Sequence, residues 1–179
     1  MQGPSFVFTW LLVFIVLVNA SYAVDKKTIE GLGLQALDEK APAFDLVGED
    51  GHRVSLDGLK GKVIILHFWA TWCKPCKEEF PGFEKLYQRL REKDAVLIPI
   101  AIDKKGTKEE ISAFARTLGA TFPVYLAQKG DVNERYWTWG VPATYFINRN
   151  GIVKARAIGP RDWGNAGVSA LVDAMIQDK

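Results

Sequence analysis

Two cysteines, Cys73 and Cys76, are the only thiols in this chain of 179 residues. They lie three positions apart in the stretch FWATWCKPCKEEFPGF. A pair with this spacing can serve as a structural crosslink, as half of a metal site, or as a disulfide that is repeatedly formed and broken. Each use makes different demands on the rest of the sequence.

A structural crosslink and a metal site both fit poorly. In the chain-entropy model so short a loop gains about 2 kcal/mol at most, against about 3 kcal/mol for a loop of fifteen residues. A metal site needs about four ligands, and a finger pattern places the remaining ones after the first cysteine pair. Here the only histidines, His52 and His67, precede it. We therefore expect no metal and no other cofactor.

A redox-active pair explains the placement of the cysteines. Cys73 falls where a predicted strand gives way to a helix, and the unpaired N–H groups and helix dipole there favour a thiolate. Lys74 adds positive charge, and Pro75 is tolerated in a first helical turn. Cys76 is one turn further on, within reach of a mixed disulfide. These positions predict Cys73 as the nucleophile and Cys76 as the resolving thiol.

The elements that must hold this pair alternate between strand and helix. Apolar, β-branched runs predict buried strands, and apolar residues spaced by three and four predict helices. The predicted order is a hairpin of strands over 43–47 and 53–56, strand 63–70, helix 73–93, strand 95–103, a helix capped at Thr107 and ended by Gly119, strand 122–127, helix 131–139, paired strands within 142–159, and helix 168–176. This alternation indicates an α/β fold with a mixed sheet covered by helices on both faces.

The first 23 residues differ from the rest. No charged side chain occurs before Asp25, residues 6–18 are almost wholly apolar, and Ser21 and Ala23 resemble a signal-peptide cleavage site. The run is also close to membrane-spanning length. We expect residues 1–23 to be a cleaved signal or a retained anchor, residues 24–40 a linker, and residues 41–179 one exported domain.

Two motifs together resemble the thioredoxin superfamily. WCKPC follows a buried apolar strand, and GVPATYFI opens a later strand at Gly140. The resemblance implies a thioredoxin fold in which Pro142 is cis and faces the cysteines. It further implies that Val141 offers its backbone to a bound client. Cys73, Cys76 and the flanking Trp72, Lys74 and Pro75 would then form the site.

Three further features are similar to the TlpA/ResA-like branch. They are an N-terminal hairpin, a helix–strand insertion over residues 104–130, and Glu79 three residues after the second cysteine. That branch implies an exported, periplasmic oxidoreductase for protein clients, apocytochrome c among them, which a membrane thiol-transfer protein re-reduces. Glu79 would act as a proton acceptor; the alternative is one more solvated helix charge. Thioredoxin's buried acid is matched by His67, which we expect to be a hydrogen-bonded core residue.

Three tryptophan side chains near the motif could either pack inside the domain or contact a partner. Trp72 could present an apolar wall to a partner or only pack its loop. Trp137 is predicted to lie in the core, and Trp139 is left open between the core and a groove wall.

Two other functions remain as alternatives, and nucleic-acid binding is not expected. A net charge of +2 with no basic run argues against nucleic acid. A peroxiredoxin-like peroxidase needs a Thr or Ser three residues before the first cysteine, whereas Thr71 lies two before Cys73. A non-enzymatic binding module would use the fold as a docking surface alone. We expect a monomeric oxidoreductase.

Overall fold

The computed structural model of the chain describes residues 24–127, 132–136 and 138–178. The predicted signal or anchor at residues 1–23 and the predicted core residue Trp137 lie outside these residues. Within the described ranges, no helix combines the length and the hydropathy needed to cross a membrane.

The described residues form helices and strands in nearly the predicted order. The helices are α1 (Lys26–Gly31), α2 (Lys74–Leu90), α3 (Lys108–Thr117), α4 (Val132–Arg135) and α5 (Ala166–Gln177). The strands are β1 (Gln35–Lys40), β2 (Asp45–Val47), β3 (Arg53–Ser55), β4 (Val63–Trp69), β5 (Ala95–Ala101), β6 (Tyr125–Leu126), β7 (Ala143–Ile147) and β8 (Ile152–Ile158).

Over these residues the main sheet has six strands in the order β1-β8-β7-β4-β5-β6. β4 is parallel to β5 and antiparallel to β7, so the sheet is mixed. All seven residues of β4 are buried. Its side chains alternate between a core shared with α2 and α5 and a core shared with the β2–β3 hairpin and α4. The predicted α/β thioredoxin fold is confirmed.

Helix α2 carries the predicted apolar stripe. Phe80, Phe83, Leu86 and Leu90 are all buried. Helix α3 begins with a capping box in which Thr107 and Glu110 each accept the other's backbone N–H, and Gly119 follows it with a φ of 84°. Both ends of α3 are therefore as predicted.

The segment predicted as a linker is part of the domain, and the linker prediction is wrong. β1 pairs antiparallel with β8, with Gln35 opposite Arg156, and α1 buries Ile29. β1 is an edge strand whose side chains are mostly exposed, so its polar sequence shows no core-facing pattern. Its strand conformation depends on β8.

β6 is shorter than the predicted strand over 122–127. It pairs with β5 only at Tyr125 and Leu126, and Tyr125 also forms a bridge with Gly48 of the hairpin region. The predicted helix over 131–139 is likewise reduced to the single turn of α4.

Candidate active site

The cysteine pair lies at the junction of β4 and α2, as predicted. Cys73 is the N-cap of α2, and the backbone N–H of Cys76 donates to its Sγ over 3.2 Å. The two residues are joined by a disulfide, so neither sulfur is available as a metal ligand in this state. Cys76 is fully buried and Cys73 is 4% exposed. Cys73 is therefore the sulfur that a partner can approach.

The second predicted motif faces this disulfide. The peptide bond between Val141 and Pro142 is cis, as the resemblance implies. The Sγ of Cys73 lies 3.6 Å from the carbonyl oxygen of Val141. Pro142 is itself tied to the sheet, because its carbonyl oxygen accepts the N–H of Gly159 over 2.9 Å. The two motifs, 65 or more residues apart in the chain, thus form one site.

A buried carboxylate that the sequence analysis missed holds the loop before Cys73. Asp103 is 5% exposed, and its two oxygens accept the N–H of Thr71 at 3.3 and 3.1 Å. Oδ1 also accepts the hydroxyl of Thr71 over 2.5 Å. One signal could have revealed it, since Asp103 is the last residue of the predicted strand 95–103, which runs parallel to the strand that leads to the cysteines. Carboxyl ends of parallel strands meet at one edge of a sheet.

Replacing Asp103 with alanine should lower the free energy of unfolding by about 2 kcal/mol, because the N–H and the hydroxyl of Thr71 would both lose their acceptor in a partly buried loop. Urea titration followed by circular dichroism measures this. The matched control is Asp57→Ala, which removes an exposed ion pair with Lys60 and should cost less than about 0.5 kcal/mol. Equal losses in the two variants would contradict the anchoring role of Asp103.

Glu79 is buried in α2, three residues after Cys76. It is 5% exposed, and its Oε1 accepts the indole N–H of Trp163 and the backbone N–H of Arg161, each over 2.6 Å. Its Oε2 has no hydrogen-bond partner. The alternative of a solvated helix charge is therefore wrong for Glu79, whereas its neighbour Glu78 is exposed and pairs with Lys74.

The environment of Glu79 changes its protonation. Burial raises the pKa of its carboxyl to about 7, although the hydrogen bonds from Arg161 and Trp163 and the charge of Arg161 act in the opposite direction. Near neutral pH this carboxyl therefore exists in both forms. Residues three apart on a helix lie on the same side with Cβ atoms about 5–6 Å apart, so Glu79 and Cys76 belong to the same buried side of α2.

His67 is a core residue, as predicted. Its Nδ1 is 3.0 Å from the hydroxyl oxygen of Thr144, and its ring packs on Phe83 with centroids 3.9 Å apart. Burial lowers the pKa of the imidazole to about 3, so the ring is neutral at physiological pH. The position of thioredoxin's buried acid is thus occupied by an uncharged group.

The surface around the disulfide is apolar and basic. Trp72 is 66% exposed and Trp139 is 89% exposed, so neither is a core residue. Lys74 and Pro75 are exposed at the start of α2, and Val141 is partly buried. Trp72, Lys74 and Pro75 are thus accessible to a partner on either side of Cys73 in the chain, and the reading of Trp72 as loop packing is disfavoured.

The sequence profile of the AhpC/TSA family matches residues 37–156, more than half of the chain. The chain belongs to the AhpC/TSA family. It is 32% identical over 153 residues to the thiol-disulfide oxidoreductase ResA of Oceanobacillus iheyensis, covering 83% of this chain and 79% of that protein. It is 36% identical over 121 residues to the thioredoxin-like protein YneN of Bacillus subtilis, covering 68% and 71%.

A solved structure agrees with this family assignment. The crystal structure of a thiol:disulfide interchange protein from Chlorobium tepidum matches 79% of this chain and 99% of its own, with a TM-score of 0.66 and 26% identity. The predicted TlpA/ResA-like resemblance is confirmed. This member of the AhpC/TSA family is a thiol-disulfide oxidoreductase, and the prediction of an enzyme is confirmed over the non-enzymatic alternative.

The peroxidase alternative finds no support at the site of this AhpC/TSA protein. The residue three positions before Cys73 is Ala70, which is fully buried and has no hydroxyl group. The hydroxyl of Thr71 is already held by Asp103. The geometry around Cys73 therefore favours exchange with another disulfide.

Proposed function

We propose that this protein is an exported reductant of protein disulfides. One observation carries the proposal: the accessible sulfur of Cys73 is placed at a helix N-terminus and 3.6 Å from the carbonyl oxygen of Val141. A client chain that lies along Val141 would bring its own disulfide to this sulfur. Trp72, Lys74, Pro75 and Pro142 would contact the client on either side.

The exchange proceeds in two balanced steps. The thiolate of Cys73 attacks one sulfur of the client disulfide, a mixed disulfide forms, and the other client sulfur leaves as a thiolate. The thiolate of Cys76 then attacks the Sγ of Cys73, which releases the second client thiolate and forms the Cys73–Cys76 disulfide. The two protons lost by the enzyme's thiols are those gained by the client's thiols.

Glu79 would accept the proton that Cys76 must lose. A resolving cysteine buried in the core has no direct contact with water, so its proton needs a nearby acceptor. The carboxyl of Glu79 lies one helical turn away with a pKa raised to about 7, which suits exchange with a thiol near neutral pH. Its unpartnered Oε2 is the oxygen open to that proton.

The sequence of residues 1–23 and the similarity to the ResA proteins support a proposal for the compartment and the partners. We propose that the chain acts in the periplasm or another extracytoplasmic space, as a monomer, with residues 1–23 as a signal or an anchor. In an oxidising compartment the enzyme must be re-reduced, and a membrane thiol-transfer protein would supply the electrons. Apocytochrome c is the proposed client.

Trapping with Cys76→Ser tests this function. This variant can form the mixed disulfide but cannot resolve it, so client adducts sensitive to dithiothreitol should accumulate in the extracytoplasmic fraction. Adducts should be absent from the variant that also carries Cys73→Ser. Mass spectrometry then identifies the clients, apocytochrome c among them. A failure to form any adduct would contradict the reductase proposal, and adducts confined to the cytoplasm would contradict export.

A further inference from the structure

We propose that Trp139 and Ile158, together with Lys104 and Lys105, form a client-selecting surface beyond the site already described. This surface, the selecting rim, would favour extended client segments that carry an apolar side chain and an acidic side chain beside the reacting cysteine. The inference rests on the proposed function, because it names the class of substrate that the same disulfide would reduce.

The exposed large apolar side chains of the described residues are concentrated beside the disulfide. Four such side chains exceed one-third exposure, namely Val47, Trp72, Trp139 and Ile158. Trp72 precedes Cys73 directly, and Trp139 lies two residues before Val141, whose carbonyl oxygen faces the sulfur. Only Val47 belongs to a distant hairpin strand. Apolar surface gathered around a reactive atom indicates an apolar partner.

Ile158 is an unusual residue for its position. It pairs with Ala143 at the end of β8, and the following Gly159 donates its N–H to the carbonyl of Pro142. Side chains of β8 alternate between buried and partly exposed, and the two preceding positions on the open side are the charged Lys154 and Arg156. The next residue on this side is Ile158, which is 52% exposed. It lies at the end of the strand that is next to Pro142.

The charge beside the disulfide is positive. Lys104 and Lys105 are exposed and directly follow Asp103, whose carboxylate binds Thr71, two residues before Cys73. Lys74 is exposed on the first turn of α2 and is only 3.9 Å from Glu78, so that pair is neutral overall. With the carboxylate of Asp103 counted against the two lysines that follow it, this edge keeps a net positive charge, and an acidic client side chain complements it.

The same features argue against two other occupants. A second copy of this chain would bring its own two lysines against the edge, which opposes self-association. A lipid surface could contact the aromatic side chains, but it carries no disulfide that Cys73 could reduce. A polypeptide client satisfies both the apolar contacts and the charge while presenting its sulfur to Cys73.

Four cyclic peptides with one disulfide each test the inference. The residue on one side of the reacting cysteine is Phe or Ser, and the residue on the other side is Asp or Lys. The pre-reduced protein is mixed with each peptide, and each rate is divided by the rate with neutral 2,2′-dithiodipyridine. We expect the Phe/Asp peptide to be reduced about tenfold faster than the Ser/Lys peptide, from one aromatic contact and one screened charge interaction.

Variants assign the two preferences to different residues. Trp139→Ser and Ile158→Ser should each lower the Phe-over-Ser ratio, by up to about fivefold, and keep the Asp-over-Lys ratio. The double variant Lys104→Glu/Lys105→Glu should invert the Asp-over-Lys ratio. Val47→Ser removes an exposed apolar side chain of the β2–β3 hairpin, and Lys26→Glu/Lys27→Glu reverses the charge of two exposed lysines at the start of α1. Both controls should match the wild type.

The outcomes separate this inference from the proposed function. If all four peptides are reduced rapidly and at equal rates, the selecting rim is overturned and the proposed reductase function stands. No reduction of any peptide would count against the reductase itself. Sedimentation as a dimer that Trp139→Ser dissociates, or binding to vesicles of phosphatidylcholine and phosphatidylglycerol that Trp139→Ser abolishes, would overturn the assignment of the rim to a client.

Discussion

Replacing Cys73 with serine should lower the rate of client-disulfide reduction by at least about a thousandfold, because a hydroxyl group is not ionised at neutral pH and cannot replace a thiolate as the nucleophile. Cys73 is the more accessible residue of the pair, with 4% of its surface exposed, and Cys76 is fully buried. The measurement is the reduction of a protein disulfide, such as insulin, by pre-reduced enzyme in a single turnover.

The matched control for this prediction is Cys76→Ser. Both variants lose the disulfide, so any loss of stability from the missing crosslink is shared and cannot explain a difference between them. Cys76→Ser should still attack the client at a rate close to that of the wild type and then stop at the mixed disulfide. If the two variants attack at equal rates, or if Cys73→Ser retains turnover, the assignment of the nucleophile is wrong.

Replacing Glu79 with glutamine should change the pH dependence of both stability and thiol reactivity. The folded-state pKa of about 7 is above the ordinary value of 4.5, so between these pH values the folded protein holds a proton that the unfolded chain has released. Wild-type stability should therefore fall as pH rises from about 4.5 to 7, by about 3 kcal/mol in total. The glutamine variant lacks this decline.

Urea unfolding of the oxidised protein at several pH values measures that decline. Glutamine keeps one oxygen to accept from Trp163 and Arg161, so the variant should match the wild type below pH 4.5 and be more stable above pH 7. A parallel pH dependence in the two proteins would show that the carboxyl of Glu79 titrates in its ordinary range.

The same variant tests the coupling of Glu79 to the thiols. An ionised carboxylate beside Cys76 disfavours a second negative charge on sulfur, so Glu79→Gln should shift the thiolate titration of the reduced protein to lower pH. Activity should fall as well if Glu79 carries the proton of Cys76. Glu78→Gln is the control, because Glu78 is exposed and paired with Lys74. Equal shifts in both variants would remove Glu79 from the site.

The central part of the fold could be predicted because its signals are local. β4 is apolar except for His67, and α2 repeats its apolar residues at helical spacing, so both were identified with bounds close to those observed. β1 was missed because the sequence QALDEK has no apolar face. Its conformation comes from hydrogen bonds to a strand more than a hundred residues later, which no local pattern reports.

The residues of the site also divide into those with a local sequence signal and those whose role depends on distant residues. Cys73, Cys76 and Pro142 belong to short motifs and were found, whereas the burial of Glu79 depends on Trp163, which is 84 residues away. A glutamate in the middle of KEEF looks like any surface charge until its partner is known. Asp103 was missed for a related reason, since its role is defined by the backbone and hydroxyl of Thr71 and not by its own neighbours.

The pairing of β1 with β8 also dictates the order in which the sheet can be completed. Gln35 lies opposite Arg156, so β1, the first strand in the chain, has no strand to pair with until β8, the last strand, has been synthesised. Contacts so distant in sequence form late in folding. Until then the charges of Asp38, Glu39 and Lys40 would disfavour pairing of this segment with another chain, and the same charges explain why it was not predicted as a strand. A ribosome that delivers the chain from its N-terminus would therefore release most of it before this edge of the domain closes.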